Sequence, residues 1–217
     1  MKDIYIIGSS GFAKEVYALI EDINAVSKQY NIKGFIDYDP VSNHFSIGDI
    51  VMPVFDEKEW LKDFAGNKDI ALAVGLGDPL KLSKLWELYK EFAFPNLIHP
   101  SAVGHWKTIQ MGQGNIITAG VIFTANIIIG SGNIFNLSTT IGHDAKVGSF
   151  NVVNPSVNIS GGVEIGNSNL IGVGSIILQF KKLGSCSILG AGAVLTKDLG
   201  DFKLAVGMPV KVIKELN

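Results

Sequence analysis

The sequence predicts two architectures in one chain. Residues 1–95 read as a small α/β domain with a Rossmann-like parallel sheet, and residues 96–217 as an all-β parallel β-helix of hexapeptide coils. Three observations carry this. Short apolar runs alternate with amphipathic helical stretches up to residue 92. From Met111 to Leu195 every sixth residue is apolar, fifteen in succession. Within that stretch glycine and asparagine return every eighteen residues.

The first half is justified element by element. "KDIYII" (2–7) is a short buried strand, and "GSSG" (8–11) is a turn. "FAKEVYALIEDI" follows with Val16, Leu19, Ile20 and Ile23 at helical spacing. "NIKGFID" (31–37) is a second strand and "EKEWLKDFA" a helix. "DIALAVG" (69–75) is a third strand, and "DPLKLSKLWELYKEF" (78–92) a long amphipathic helix. Strands alternating with helices imply a parallel sheet joined by crossover helices. Three strands are half of a full dinucleotide-binding fold, which favours a mononucleotide or nucleotide-sugar over NAD. "FPNLIHPS" breaks the pattern at Pro95 and Pro100 and marks the boundary.

In the second half, a six-residue period suits neither a helix nor a plain strand. Fifteen consecutive apolar sites would arise by chance about once in ten thousand or less at average composition. The period fits a β-helix in which three six-residue sides close a coil of eighteen. Gly112, Gly130, Gly148, Gly166 and Gly184 then fall at one corner, where positive φ or close approach is needed. Asn115, Asn133, Asn151 and Asn169 fall in one column, placed for a ladder of amide hydrogen bonds. The series stops at His105 and at Asp201, leaving about five coils.

Composition narrows the function. Net charge is −2 and the basic residues are scattered, so nucleic acid is not an expected partner. The single cysteine, Cys186, excludes an internal disulfide and a paired-cysteine metal site. His143 is the only histidine between residues 111 and 195, so a metal site of three converging histidines is not expected. No apolar run reaches membrane-spanning length and "MKDIYIIGSSG" makes a poor leader, so a cytoplasmic protein without a membrane partner is expected. One stretch interrupts the coil pattern with chemistry: "IGHDAKVGSF" puts His143 beside Asp144. Neighbouring strand residues point to opposite faces, so the two can meet only at or near a corner. Gly161, eighteen residues after His143, should stack on it in the next coil.

"IGHDAKVGSF", "NISGGVEIGNSNLIGVGS", "ILGAGAVLTKD" and "VGMPVKVI" resemble the hexapeptide acyltransferases. With "YIIGSSGFAKEV" and "GFID" ahead of them, nearly the whole chain resembles the NeuD/PglD-like nucleotide-sugar acetyltransferases. That resemblance implies left-handed coils, a homotrimer, acetyl-CoA as cosubstrate and no metal. It implies a nucleotide-sugar-binding domain over 1–95 and an acyltransferase domain over 96–217. His143 would be the general base, with Asp144 raising its basicity, and the Gly161 N–H would face the developing oxyanion. Acetyl-CoA would lie against Val173, Ala191, Gly207 and Pro209. A histidine common in the family nine residues after the base, where it touches the cofactor, is Val152 here. Its role toward the cofactor is then either absent or filled by Asn151 or Asn154. Apolar Ile127, Ile128 and Val157 fall outside the inward series and are expected to be covered in the trimer.

The "GSSG" turn opens a helix after a strand, where backbone N–H groups can face an anion. It lacks the full dinucleotide fingerprint and by itself is also a simple tight turn. The resemblance assigns Ser10, Gly11, Phe12, Asp37, Tyr38 and Gly75 to the nucleotide-sugar, with Phe12 where a histidine is often found. The expected reaction is acetyl transfer to the amino group of a nucleotide-linked amino-sugar for surface glycan biosynthesis. A sugar O-acetyltransferase and a noncatalytic nucleotide-sugar-binding protein are the alternatives.

Overall fold

In the first unit apolar side chains fix a layered arrangement. The computed structural model describes residues 1–216. Its first unit contains β1 (Lys2–Ile7), α1 (Gly11–Val26), β2 (Tyr30–Asp37), β3 (His44–Ile47) and β4 (Ile50–Asp56). It continues with α2 (Glu57–Phe64), β5 (Ala71–Val74) and α3 (Pro79–Leu88). The sheet order is β3-β4-β2-β1-β5, with β4, β2, β1 and β5 parallel and β3 antiparallel at the edge. Val16, Leu19, Ile20 and Ile23 of α1 are buried on the sheet, as their spacing requires. Asp56 and Asp78 cap α2 and α3 by accepting backbone N–H bonds in the first turn.

The count of three strands was short by two, β3 and β4. Pro53 inside "IVMPVF" argues against a central strand, since it cannot donate to a ladder. It is tolerated because it lies opposite His44 on the hairpin side, where the edge strand makes the smaller demand. The two-residue Gly48-Asp49 turn, with Gly48 at φ 58, was the available hairpin signal. α3 also ends at Leu88, four residues early, and Tyr89 and Phe92 turn inward around Trp60.

Beyond Pro95 the chain winds as a left-handed parallel β-helix with three faces. The first face runs from Leu97–Ile98 through Ile116–Ile117, Ile134–Phe135 and Val152–Val153 to Lys203–Val206. The second contains Ile122–Phe123, Thr140–Ile141, Asn158–Ile159, Ile176–Ile177 and Val194–Leu195. The third runs from Ile109–Met111 to Lys182–Leu183. Pairing is in register at eighteen residues, for example Ile141 opposite Ile159. The sixth-residue series is the interior, and the residues two before each member also face inward, because side chains alternate along a strand. Ile127 and Val157 are therefore fully buried in the coil, not left outside it for a partner; only Ile128 is exposed.

The series ended early at both termini because of small length changes. Leu97 pairs with Ile116 and Val103 with Ile122, so one more coil precedes Met111. A turn of 3-10 helix at Trp106–Thr108 adds one residue to it and shifts the inward site from His105 to Gly104. At the other end Leu199 lies beside Leu183 and Ala205 beside Leu189, two residues short of a full coil.

The asparagine column is a ladder. Asn133 Nδ2 donates to Asn115 Oδ1, Asn151 Nδ2 to Asn133 Oδ1 and Asn169 Nδ2 to Asn151 Oδ1, at 2.9–3.0 Å. All four are fully buried. For the Gly112 column, close approach is the operative reason: a Cβ on Gly130 would stand 2.7 Å from Gly148 O. The left-handed backbone sits elsewhere, at Gly114, Gly120, Asn126, Gly132 and each sixth residue onward to Gly192, including Asp144 at φ 60.

The two units share a core. Outward residues Ile116, Ile134 and Val152 of the first face are buried with the α/β domain. Val152 thus serves the junction, and Asn151 is held within the ladder. Trp86 of α3 stacks on Phe94 at 4.3 Å and meets Phe150 edge-on at 5.7 Å. Further along the first face, Leu170 and Ile188 line an open cleft of about 730 Å³ with Gly77–Leu80 and Phe202. It contains none of the residues assigned a catalytic or binding role from the sequence, although Cys186 lies in its wall.

Candidate active site

A corner is where the His-Asp pair can close, and the structure puts it there. Thr140–Ile141 ends the second face, the chain turns through Gly142, His143 and Asp144, and Lys146–Val147 begins the third. The left-handed φ of Asp144, a conformation Asp tolerates better than most residues, brings its carboxylate back beside its neighbour. His143 Nδ1 and Asp144 Oδ2 are 2.8 Å apart. The His143 N–H, and after it the Asn126 amide one coil below, hold the Asp144 carboxyl below its ordinary range. Asn126 was missed, although it lies eighteen residues before Asp144, the same offset that stacks Gly161 on His143.

Gly161 stacks on His143, with the Gly162 N–H donating to His143 O at 2.7 Å. The imidazole lies against Gly161: a Cβ there would be 2.5 Å from Nε2 and 2.7 Å from Cε1. Glycine is required by this close approach. Gly161 is buried under the imidazole, and its N–H makes no hydrogen bond among the described residues. With Nδ1 committed to a carboxylate, Nε2 is the nitrogen left to take a proton.

Val173, Ala191 and Gly207 form a second column. It lies on the other edge of the second face, between the first and second faces. The Gly192 N–H donates to Val173 O at 2.8 Å and the Val194 N–H to Gly207 O at 3.0 Å, tying successive coils. All three are exposed, as is Pro209 after the Met208-Pro209 cis bond. The N–H groups of Val173 and Ala191 are unpartnered among the described residues, which suits a ligand carrying amides. One chain therefore carries the base on one edge of the face and this column on the other.

The α/β domain offers a cleft of about 400 Å³ at the C-terminal ends of β1 and β2, the position where such sheets bind ligands. Asp37 and Tyr38 line it, with Gly8, Glu57, Lys81 and Lys84. Asp37 Oδ2 accepts from the Ser9 N–H at 2.8 Å and from the Ser9 hydroxyl, so the carboxylate also fixes the turn. Gly8 has φ 98 and a Cβ on it would strike Leu76. Ser10 is the N-cap of α1 without a side-chain cap bond, and Gly11 is exposed beside it. Phe12 and Gly75 are not on the cleft wall. Phe12 packs on the core, and Gly75 is buried where a Cβ would lie 2.8 Å from Ala13 Cβ. Ser9, Glu57, Lys81 and Lys84 were missed; the two lysines on one face of α3 were the readable signal. Among the described residues no group of three or more His, Cys, Asp or Glu is placed to hold a metal, and no helix is long and apolar enough to cross a membrane.

The sequence matches the PglD N-terminal domain family over residues 3–87. No curated protein sequence matches the chain. Among solved structures it resembles a histidine-to-asparagine mutant of perosamine N-acetyltransferase from Caulobacter crescentus in complex with CoA and GDP-perosamine. The TM-score is 0.87 and the identity 29%, over 99% of this chain and 98% of that one. The acetyltransferase domain of PglB from Neisseria gonorrhoeae, in complex with acetyl coenzyme A, matches with TM-score 0.84 and 25% identity, over 98% and 99%. WeeI from Acinetobacter baumannii shares the fold at TM-score 0.83 and 23% identity, over 98% and 100%.

Proposed function

The chain belongs to the NeuD/PglD-like family of nucleotide-sugar acetyltransferases, and from that premise we propose how its residues divide the work. It is an acetyl-CoA-dependent acyltransferase that acetylates the amino group of a nucleotide-linked amino-sugar. The observation that carries the assignment is the imidazole of His143, held by Asp144 at Nδ1 and lying on Gly161. The sugar amine attacks the thioester carbonyl and a C–N bond forms. Its proton passes to His143 Nε2, and the carbonyl oxygen accepts the Gly161 N–H as charge develops on it. The C–S bond then breaks, and the imidazolium returns the proton to the leaving thiolate. Asp144 is a positioning residue that fixes the tautomer and stabilises the imidazolium.

Residues 1–95 hold the nucleotide-sugar. Ser10, Gly11 and Phe12 start the helix that faces its phosphates, and Asp37 and Tyr38 line the cleft, with Gly75 packing the helix against the sheet. Lys81 and Lys84 add positive charge there. Residues 96–217 carry the chemistry, with Val173, Ala191, Gly207 and Pro209 along the acetyl-CoA path. The working form is a cytoplasmic homotrimer that serves surface glycan biosynthesis. Support for the trimer comes from the two-edge layout: a neighbouring copy brings its Val173 column to this chain's His143 edge. The second face also presents exposed Ile122, with Leu137 and Val173 at its edge, whereas the third carries the Lys146–Glu164–Lys182 ion ladder.

Thiol release from acetyl-CoA against a panel of UDP-, GDP- and dTDP-linked 4-amino-sugars tests the activity. His143-dependent release with one acceptor is expected. Release only with hydroxyl acceptors, or tight nucleotide-sugar binding with none, would replace this reading. A stable monomer in sedimentation at micromolar concentration would remove the trimer.

A further inference from the structure

Three phenylalanines in the coil have a left-handed backbone, Phe150, Phe180 and Phe202, and the first two also lie over a glycine. Phe150 has φ 62 and Phe180 φ 59, in the left-handed region where a bulky residue is strained. Each lays its ring over a glycine of the preceding coil. A Cβ on Gly132 would lie 2.7 Å from Phe150 Cδ1, and one on Gly162 would lie 2.3 Å from Phe180 Cδ1. The two differ in what covers them. Phe150 lies under Trp86 of the α/β domain, so its strain is offset by burial. Phe180 is 67% exposed.

Phe180 stands on the same edge as His143. Its N–H donates to Gly161 O at 3.0 Å, so the residue opposite the imidazole is hydrogen-bonded to it. Coils rise by about 4.8 Å, the spacing of paired strands, and Phe180 lies one coil beyond Gly162. That is the direction in which Val173, Ala191 and Gly207 follow in turn. The α/β domain covers the opposite stretch of the coil, at Ile116, Ile134 and Val152. Donor and acceptor therefore approach His143 from opposite ends, and Phe180 is on the donor side.

We propose that Phe180 is an acetyl-CoA-binding residue whose ring packs against the pantetheine arm just behind the thioester. This rests on the acetyltransferase reading above. A strained, exposed ring tied to the oxyanion-side glycine gains what Phe150 gains from Trp86, with the arm as cover. The contact orients the thioester carbonyl toward the Gly161 N–H and shields it from water.

The test is Phe180→Ala in the full-length protein, with Phe180→Tyr as the conservative control. Phe180→Ala should raise the Kd for CoA in calorimetry and the KM for acetyl-CoA about tenfold, as for removal of one aromatic partner. The KM for the nucleotide-sugar should stay within about twofold, since that ligand enters from the other side. Phe180→Tyr should restore both acetyl-CoA values. Phe180→Gly should lose CoA affinity equally without loss of thermal stability, because glycine relieves the left-handed strain. Unchanged CoA affinity would overturn the proposal. So would a raised KM for the nucleotide-sugar alone, or a weakened oligomer with normal CoA affinity in the species that remains. Phe180-dependent CoA affinity in a protein that acetylates no sugar would overturn the acceptor assignment and leave this inference standing.

Discussion

On the coil edge every residue of the site stands one period from the next. Asn126, Asp144, Gly162 and Phe180 succeed one another at eighteen residues in the left-handed position, and His143 and Gly161 do the same beside them. In the cleft of the α/β domain the wall comes from β1, β2, α2 and α3, over nearly the whole domain. Each region holds a functional carboxylate by hydrogen bonds. Asp37 is half-buried and spends one oxygen on Ser9. Asp144 is exposed, and one oxygen holds an imidazole. The difference teaches how each site should fail. The coil edge is built on rigid repeated backbone, so changing a side chain there alters chemistry with little effect on fold. The cleft is assembled from unlike elements and Asp37 also ties down the Ser9 turn, so changing Asp37 frees that turn and weakens binding.

The comparison breaks most visibly at His143. His143→Ala should lower kcat by about 10²–10⁴-fold, the usual contribution of a positioned general base. CoA affinity and thermal stability should be kept. The loss should shrink at high pH, where solvent deprotonates a sugar amine unaided, so a kcat–pH series checks it. A folded variant with near-normal kcat at pH 7 would remove the base.

Gly161→Ala comes next. The backbone N–H survives, but the new Cβ would collide with the imidazole and must turn it aside. A fall in kcat of about 10²-fold is expected from such misplacement, with nucleotide-sugar affinity unchanged. Equal kcat would mean the ring position is immaterial.

The cleft should respond in KM. Asp37→Ala should raise KM for the nucleotide-sugar about tenfold, the cost of losing a charged hydrogen bond, with kcat nearly kept. Ser9→Ala should reproduce part of this by loosening the same turn. Calorimetry showing unchanged nucleotide-sugar affinity in both would take Asp37 out of the site.

The smallest effect is expected at Asp144. Its carboxyl is held below the ordinary value of 3.8, so it stays ionised throughout the range in which an imidazole titrates. Any stability it lends is present above the ordinary carboxyl value and is lost as pH falls through the lowered one. Asp144→Asn removes the anion that favours imidazolium. The acid limb of kcat/KM should therefore move to lower pH, with kcat down about tenfold or less. A limb displaced to higher pH would contradict the pairing.

Much of the coil was legible in the sequence because repetition converts position into geometry. The sixth-residue series gave the interior, the asparagine column gave the ladder, and the offset of eighteen put Gly161 on His143. A one-residue insertion at Trp106–Thr108 was enough to hide the first coil, since the period is readable only while it is unbroken. Composition and alternation determined the α/β class and the register of α1. They did not determine β3 and β4, where Pro53 masked a hairpin that sheet pairing tolerates. Which apolar residues face out was also decided in three dimensions: Ile127 and Val157 go inward with the strand pleat. Tertiary structure alone chose close packing for the Gly112 column and junction duty for Val152. It also tied Ser9 to Asp37 and left Phe180 uncovered where Phe150 is covered. The physical reason is common to all of these. A period specifies a residue's neighbours within one repeating lattice, whereas contacts between unlike elements depend on distances that no one-dimensional spacing contains.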